Sequence, residues 1–84
     1  MRVGAVMRRV ADSMERLGHD LGRPPFIAEI SADLEDVRAS ALSKSLSSLV
    51  DHGYVESPAP RNYVLVRTLD GRPVTYSMAI GPAE

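Results

Sequence analysis

The sequence predicts an α+β fold of three helices followed by a C-terminal β-hairpin. Three observations carry that expectation. Apolar residues recur every three or four positions up to Asp51, the period changes to two after Gly53, and glycines and prolines stand where the segments meet. The 84 residues allow one domain, expected over 1–80, with 81–84 as a tail. A chain of this size buries only about 60–65% of its unfolded surface. With no cysteine, it has neither a disulfide nor a thiolate metal site to reinforce a thin core.

From Val3 to Leu21, apolar residues fall at Val3, Val6, Met7, Val10, Met14, Leu17 and Leu21, one face of a helix. Gly18 or Gly22 can end it, and Pro24-Pro25 forbids continuation. Arg2, Arg9 and Arg16 share an outer stripe, read as a solvated face partly paired with Asp12 in preference to a phosphate-binding stripe. Pro25 can open a short second helix, since a proline at the first helical position loses no hydrogen bond. Its apolar positions are Phe26, Ile27, Ile30 and Leu34, and Glu29 lies near its N-terminus, where negative charge is favoured. Glu35-Asp36 breaks the pattern, and Asp36 is the expected N-cap of a third helix over about Val37–Asp51. Leu42, Leu46, Leu49 and Val50 form its buried stripe. At about 100° per residue the opposite face carries Ser40, Ala41, Lys44, Ser47, Ser48 and Asp51, with Arg38 at its edge. Gly53 ends this helix.

Beyond Gly53, Tyr54-Val55-Glu56 reads as a short strand. Ser57 to Asn62 reads as a loop, because two prolines do not sit inside a paired strand. Tyr63 to Leu69 reads as a strand, and Asp70-Gly71 is a strong two-residue hairpin signal. Val74, Tyr76, Met78 and Ile80 then alternate with smaller or polar residues, giving one buried and one wet face.

A short helix, a tight turn and a third helix with a polar outer face are the layout of a helix-turn-helix, in which the last helix lies in the DNA major groove. A terminal hairpin, here 63–80, supplies a wing, which makes the expected fold a three-helix winged helix-turn-helix. The major groove is about 12 Å wide and admits a helix whose tip carries small polar residues and cations. The candidate DNA contacts are Arg38, Ser40, Ala41, Ser43, Lys44 and Ser47, with Arg61 and Arg72 on two loops. A serine-rich face is also simply a soluble face, and Arg72 is equally readable as a surface arginine beside a tight turn.

Pro24-Pro25-Phe26-Ile27-Ala28-Glu29-Ile30, then Leu34, then Gly53-Tyr54-Val55-Glu56, spaced without a gap, resemble the DNA-binding domain of the LexA repressors over about two-fifths of the chain. The resemblance implies base-facing positions for Arg38, Ser40, Ala41, Ser43 and Lys44. Their identities differ from the family's, so no operator sequence is implied. Glu35 stands where the turn often has glycine, and the chain ends where those repressors begin their self-cleaving domain, so no Ser-Lys peptidase is implied. Asp70-Gly71-Arg72-Pro73-Val74-Thr75-Tyr76 looks like the wing of PadR- and ArsR-type regulators. A LexA-like wing puts Arg61 and Asn62 at its tip; a PadR-like wing puts Asp70, Gly71 and Arg72 there. The Asp-Gly turn favours the second. Together these resemblances imply a general winged-helix regulator, repressor-like in kind.

Charge argues the other way. The net charge is −1, whereas phosphate neutralisation supplies much of the affinity of DNA binders. Glu29, Asp33, Glu35 and Asp36 form an acidic cluster, and from Arg38 onward five bases meet four acids. The alternative is therefore a protein-binding winged-helix module, an adaptor or antagonist of another regulator. A homodimer is expected, through the first helix or the strand near Ile80. Catalysis has no motif behind it: His19 and His52 are isolated near helix ends, no metal spacing or phosphate loop occurs, and neither cofactor nor metal is expected. No apolar run approaches the ~20 residues of a membrane span, so a cytoplasmic protein without membrane contact is expected.

Overall fold

The computed structural model describes residues 4–59 and 62–74. Three helices precede a two-stranded antiparallel hairpin, in the order α1 (Ala5–Leu21), α2 (Ile27–Asp33), α3 (Ala39–Asp51), β1 (Val55–Ala59) and β2 (Asn62–Leu65). The α+β class and the element order are those the sequence predicts.

Glycines end the two longer helices. Gly22 takes φ +70°, and its N–H reaches the Gly18 carbonyl at 2.9 Å, so Gly22 rather than Gly18 is the terminator. After α3, Gly53 takes φ +83° and donates to the Val50 carbonyl at 3.0 Å, while Tyr54 donates to Leu49 at 3.0 Å. That pair of bonds is a Schellman motif, which needs a left-handed residue at this place. The His52 ring also closes the end of α3, with Nδ1 2.7 Å from the Ser48 carbonyl. Because a carbonyl only accepts, Nδ1 carries the proton.

Helix starts depart from expectation. Pro25 does not open α2. The N-cap is Phe26, extended at ψ 158°, and its N–H is taken by the Glu29 carboxylate at 2.7 Å, half of a capping box. The helix begins where that carboxylate can satisfy an otherwise orphaned donor. Asp36 does not cap α3 either. Its carboxylate is engaged by Arg9 of α1, Val37 donates to Leu34 at 2.9 Å to close the turn, and Arg38 becomes the N-cap with no side-chain oxygen to offer.

The core unites all five elements: Val10, Ala11 and Met14 of α1, Ile30 of α2, Leu42, Leu46 and Leu49 of α3, Val55 of β1 and Leu65 of β2, with Leu34 just past α2. The helical members stand at spacings of three and four on their helices, so one stripe of each helix faces inward.

The hairpin differs most from expectation. Val55 pairs with Leu65, Glu56 with Val64 and Ala59 with Asn62, so β1 spends one residue more than β2 between the last two pairs. That bulge lets Pro58 lie within a strand, because a bulged residue has no ladder bond to donate. The segment read as a loop from Ser57 is therefore strand as far as Ala59. The described ladder joins 55–59 to 62–65; of the expected 63–80 hairpin only the part up to Val74 is described, where the Val74 N–H donates to the Val66 carbonyl at 3.1 Å. The Asp70-Gly71 turn does form, but as a three-residue loop, Leu69 to Gly71. Gly71 at φ +90° donates to Thr68 at 2.9 Å, Thr68 donates to the Arg72 carbonyl at 2.8 Å, and Arg67 bridges Pro73. A type I turn followed by a left-handed glycine closes such loops. The proposed return strand through Tyr76, Met78 and Ile80 lies outside the described residues, as does the tail.

Candidate nucleic-acid interface

The outer face of α3 gathers most of the residues singled out from the sequence. Arg38, Ser40, Ser43, Lys44 and Ser47 are all exposed. Ala41 departs from expectation: it is half-buried, turned toward the flank of the helix where the core begins. No side chain caps the N-terminus of α3 and its first turn holds no acid, so the positive end of the helix dipole lies beside Arg38.

The two wing candidates fare differently. Arg61 lies outside the described residues. Arg72 is exposed but engaged: its Nε donates to Asp70 at 3.0 Å, and its guanidinium lies 3.6 Å from Glu15 of α1. Thr68 donates to the same Asp70 carboxylate, and the Arg72 backbone N–H donates to the Thr68 hydroxyl at 3.0 Å. Thr68 first, then Arg72, hold the Asp70 carboxyl below its ordinary range. The Asp70–Arg72 turn is thus stitched to itself and to α1, and Arg72 shares no ion pair or hydrogen bond with α3. Of the hairpin strands, β1 packs on α3 and β2 on α1, but the Tyr63 side chain of β2 reaches the flank of α3. Tyr63 lines, with Ile27, Ser31, Ala39, Leu42 and Ser43, a groove of about 350 Å³ along the flank of that helix.

The acidic cluster is neutralised from outside itself, which sequence reading missed. Arg9 forms a two-pronged pair with Asp36, Nη1 to Oδ2 at 2.7 Å and Nη2 to Oδ1 at 2.8 Å. Arg16 pairs with Asp33, and the buried Ser13 hydroxyl donates to the same Asp33 oxygen at 2.7 Å. Arg23 grips Glu29 through two bonds, at 2.9 and 2.8 Å, while its guanidinium lies 4.6 Å from the centre of the Phe26 ring. Of the four clustered acids, only Glu35 lacks an ion pair among the described residues. Of the outer arginine stripe, Arg9 and Arg16 are paired, but to Asp36 and Asp33 and not to Asp12, while Arg2 lies outside the described residues. The regular spacing of Arg9 and Arg16 placed them on one stripe; nothing local could say which acids they would meet. Among the described cations, Arg9, Arg16, Arg23 and Arg72 stand in ion pairs, and Arg8, Arg38, Lys44 and Arg67 do not.

These pairs set the pH response. Arg23, then the Phe26 N–H, hold Glu29 down at about 2. Arg16 with Ser13 lowers Asp33, and Arg9 lowers Asp36. A carboxyl depressed in the folded state stabilises the fold above its unfolded value, and that contribution is lost as pH falls through the folded value. The thermal midpoint is therefore expected to fall steadily between about pH 5 and pH 2, and Glu29→Gln to flatten part of that slope. Melting curves across that range check it; an unchanged slope would show that Glu29 is not held as described.

Among the described residues no helix is long and apolar enough to cross a membrane, and no three His, Cys, Asp or Glu side chains converge as a metal site. Comparison with known protein families, with curated proteins and with solved structures finds no match to this chain.

Proposed function

We propose that the chain is a small winged helix-turn-helix regulator that binds double-stranded DNA, with α3 in the major groove and the β1–β2 hairpin as its wing. One observation carries this reading. Lys44 of α3 and its N-cap Arg38 are exposed and without ion pairs among serines, while three of the four acids just ahead of them, Glu29, Asp33 and Asp36, are paired with Arg23, Arg16 and Arg9. The net charge of −1 therefore understates how positive this face is. The local resemblance of Pro24 to Glu56 to LexA repressors supports the same assignment. So does Tyr63, a hairpin side chain on the groove along the flank of α3, whereas Arg72 is engaged by Asp70 and Glu15.

The test is binding to a pool of random duplexes across a range of salt. Affinity is expected to fall with salt at a log–log slope of about −0.9 for each phosphate neutralised. No retarded complex on any duplex at low salt ends the reading. Sequencing the bound fraction reports the site; inverted half-sites about one helical turn apart mark a homodimer, and single half-sites a monomer.

Arg38 offers a sharper check, because a cation is a poor N-cap and gives up stability that serine would supply. Local rules are broken in this way mostly where function demands it. Arg38→Ser is expected to stabilise the fold by about 0.5–1 kcal/mol while weakening duplex binding by about tenfold. Melting and binding curves should thus move in opposite directions; binding that holds or improves removes Arg38 from the interface.

A second reading, a protein-docking module, has one feature in its favour. Phe26 is 58% exposed, and large exposed apolar side chains are frequent in protein interfaces. Under that reading duplex affinity is absent or flat with salt.

A further inference from the structure

Arg9 and Arg16 belong to α1, yet they pair with two acids of the segment that leads into α3. Asp36 lies two residues ahead of Arg38 and Asp33 closes α2, so both carboxylates belong to the turn that delivers α3. Each is met by an arginine of α1, from 27 and 17 residues away in the chain. Both partners of the Arg9–Asp36 pair are substantially exposed, at 47% and 67%, and exposed pairs contribute little to stability. The geometry is nonetheless two-pronged and short, which fixes orientation as well as charge. Ser13, a buried residue of α1, adds a third tether through Asp33.

We propose that Arg9 and Arg16 are positioning residues for the α3 interface: they mask Asp33 and Asp36 from an approaching polyanion and hold the turn that presents Arg38. The masking role rests on the DNA reading; the holding role does not. Bare carboxylates there would lie within about one screening length of phosphates on which α3 docks, since that length is about 8–10 Å at ordinary salt. Each unmasked charge is expected to weaken binding about three- to tenfold at low salt.

The experiment compares wild type, Arg9→Gln, Asp36→Asn and the double variant on a short mixed-sequence duplex at several salt concentrations. Arg9→Gln should weaken binding by about three- to tenfold with an unchanged salt slope. Asp36→Asn should bind at least as well as wild type, and the double variant should return to within about twofold of it. A slope reduced by about 0.9 in Arg9→Gln, with no rescue by Asp36→Asn, would make Arg9 a phosphate contact and overturn masking; unchanged affinity overturns it too. The free protein supplies the second arm, by amide hydrogen exchange. The Val37 N–H, held by Leu34 at 2.9 Å, should exchange at least about fivefold faster in the Arg9→Gln, Arg16→Gln pair while mid-α1 amides stay as they are. Unchanged Val37 exchange overturns the holding role. Wild type that binds no duplex overturns the DNA reading and masking together, and exchange still decides the rest.

Discussion

Replacing Lys44 by glutamate is expected to weaken duplex binding about 30- to 100-fold at low salt, by removing a donor and adding a repelled charge in the groove. The salt slope should shrink by about one contact. The fold should not notice. Lys44 is exposed at the middle of α3, and its helical neighbours three and four positions away are Ser40, Ala41, Ser47 and Ser48, so glutamate meets no charged partner of either sign. Surface changes of this kind lie within about 0.5 kcal/mol. Parallel melting and anisotropy measurements separate the effects. Retained duplex affinity would remove α3 from the interface.

Leu46→Ala works on the other side of the same helix. Leu46 is fully buried among residues from every element. Truncation in such a position costs about 2–5 kcal/mol, from lost burial and from the cavity left behind. A chain of this size has roughly 4–12 kcal/mol in hand. A loss of about 3 kcal/mol should lower the midpoint by about 12–24 °C. Leu46→Met, which conserves volume, should cost less than about 1.5 kcal/mol. Calorimetry on both variants checks the pairing; an alanine variant that melts within a few degrees of wild type would mean that α3 is not seated on this core. Duplex binding by Leu46→Ala should recover on cooling below its midpoint, whereas binding by Lys44→Glu should not.

Much of the fold was legible in sequence because it depends on local periods. The apolar spacing of Val10, Met14 and Leu17, and of Leu42, Leu46 and Leu49, reads as helix in isolation, and Gly53 reads as a stop because only a left-handed residue completes the Schellman bonds. The exposed face of α3 followed from the same arithmetic, apart from the half-buried Ala41 and Ser48, which sit at the boundary where a few degrees decide burial. Helix starts were read less well. Asp36 has the right chemistry for an N-cap, and a distant arginine outcompetes that use. Pro58 has the wrong chemistry for a strand, and a bulge makes room for it.

The sequence by itself determined three helices and a change to extended chain, and it set Lys44 and Arg38 among serines, because side-chain direction repeats every 3.6 residues whatever lies elsewhere. Only the tertiary structure decided which carboxylates meet which arginines, and which strand lies beside α3. Arg9 meets Asp36 across 27 positions, a contact that exists only once α1 has packed against the other helices. A net charge is a sum over the chain, but a binding face responds to the charges left unpaired after packing. Here packing leaves Arg38 and Lys44 unpaired on that face.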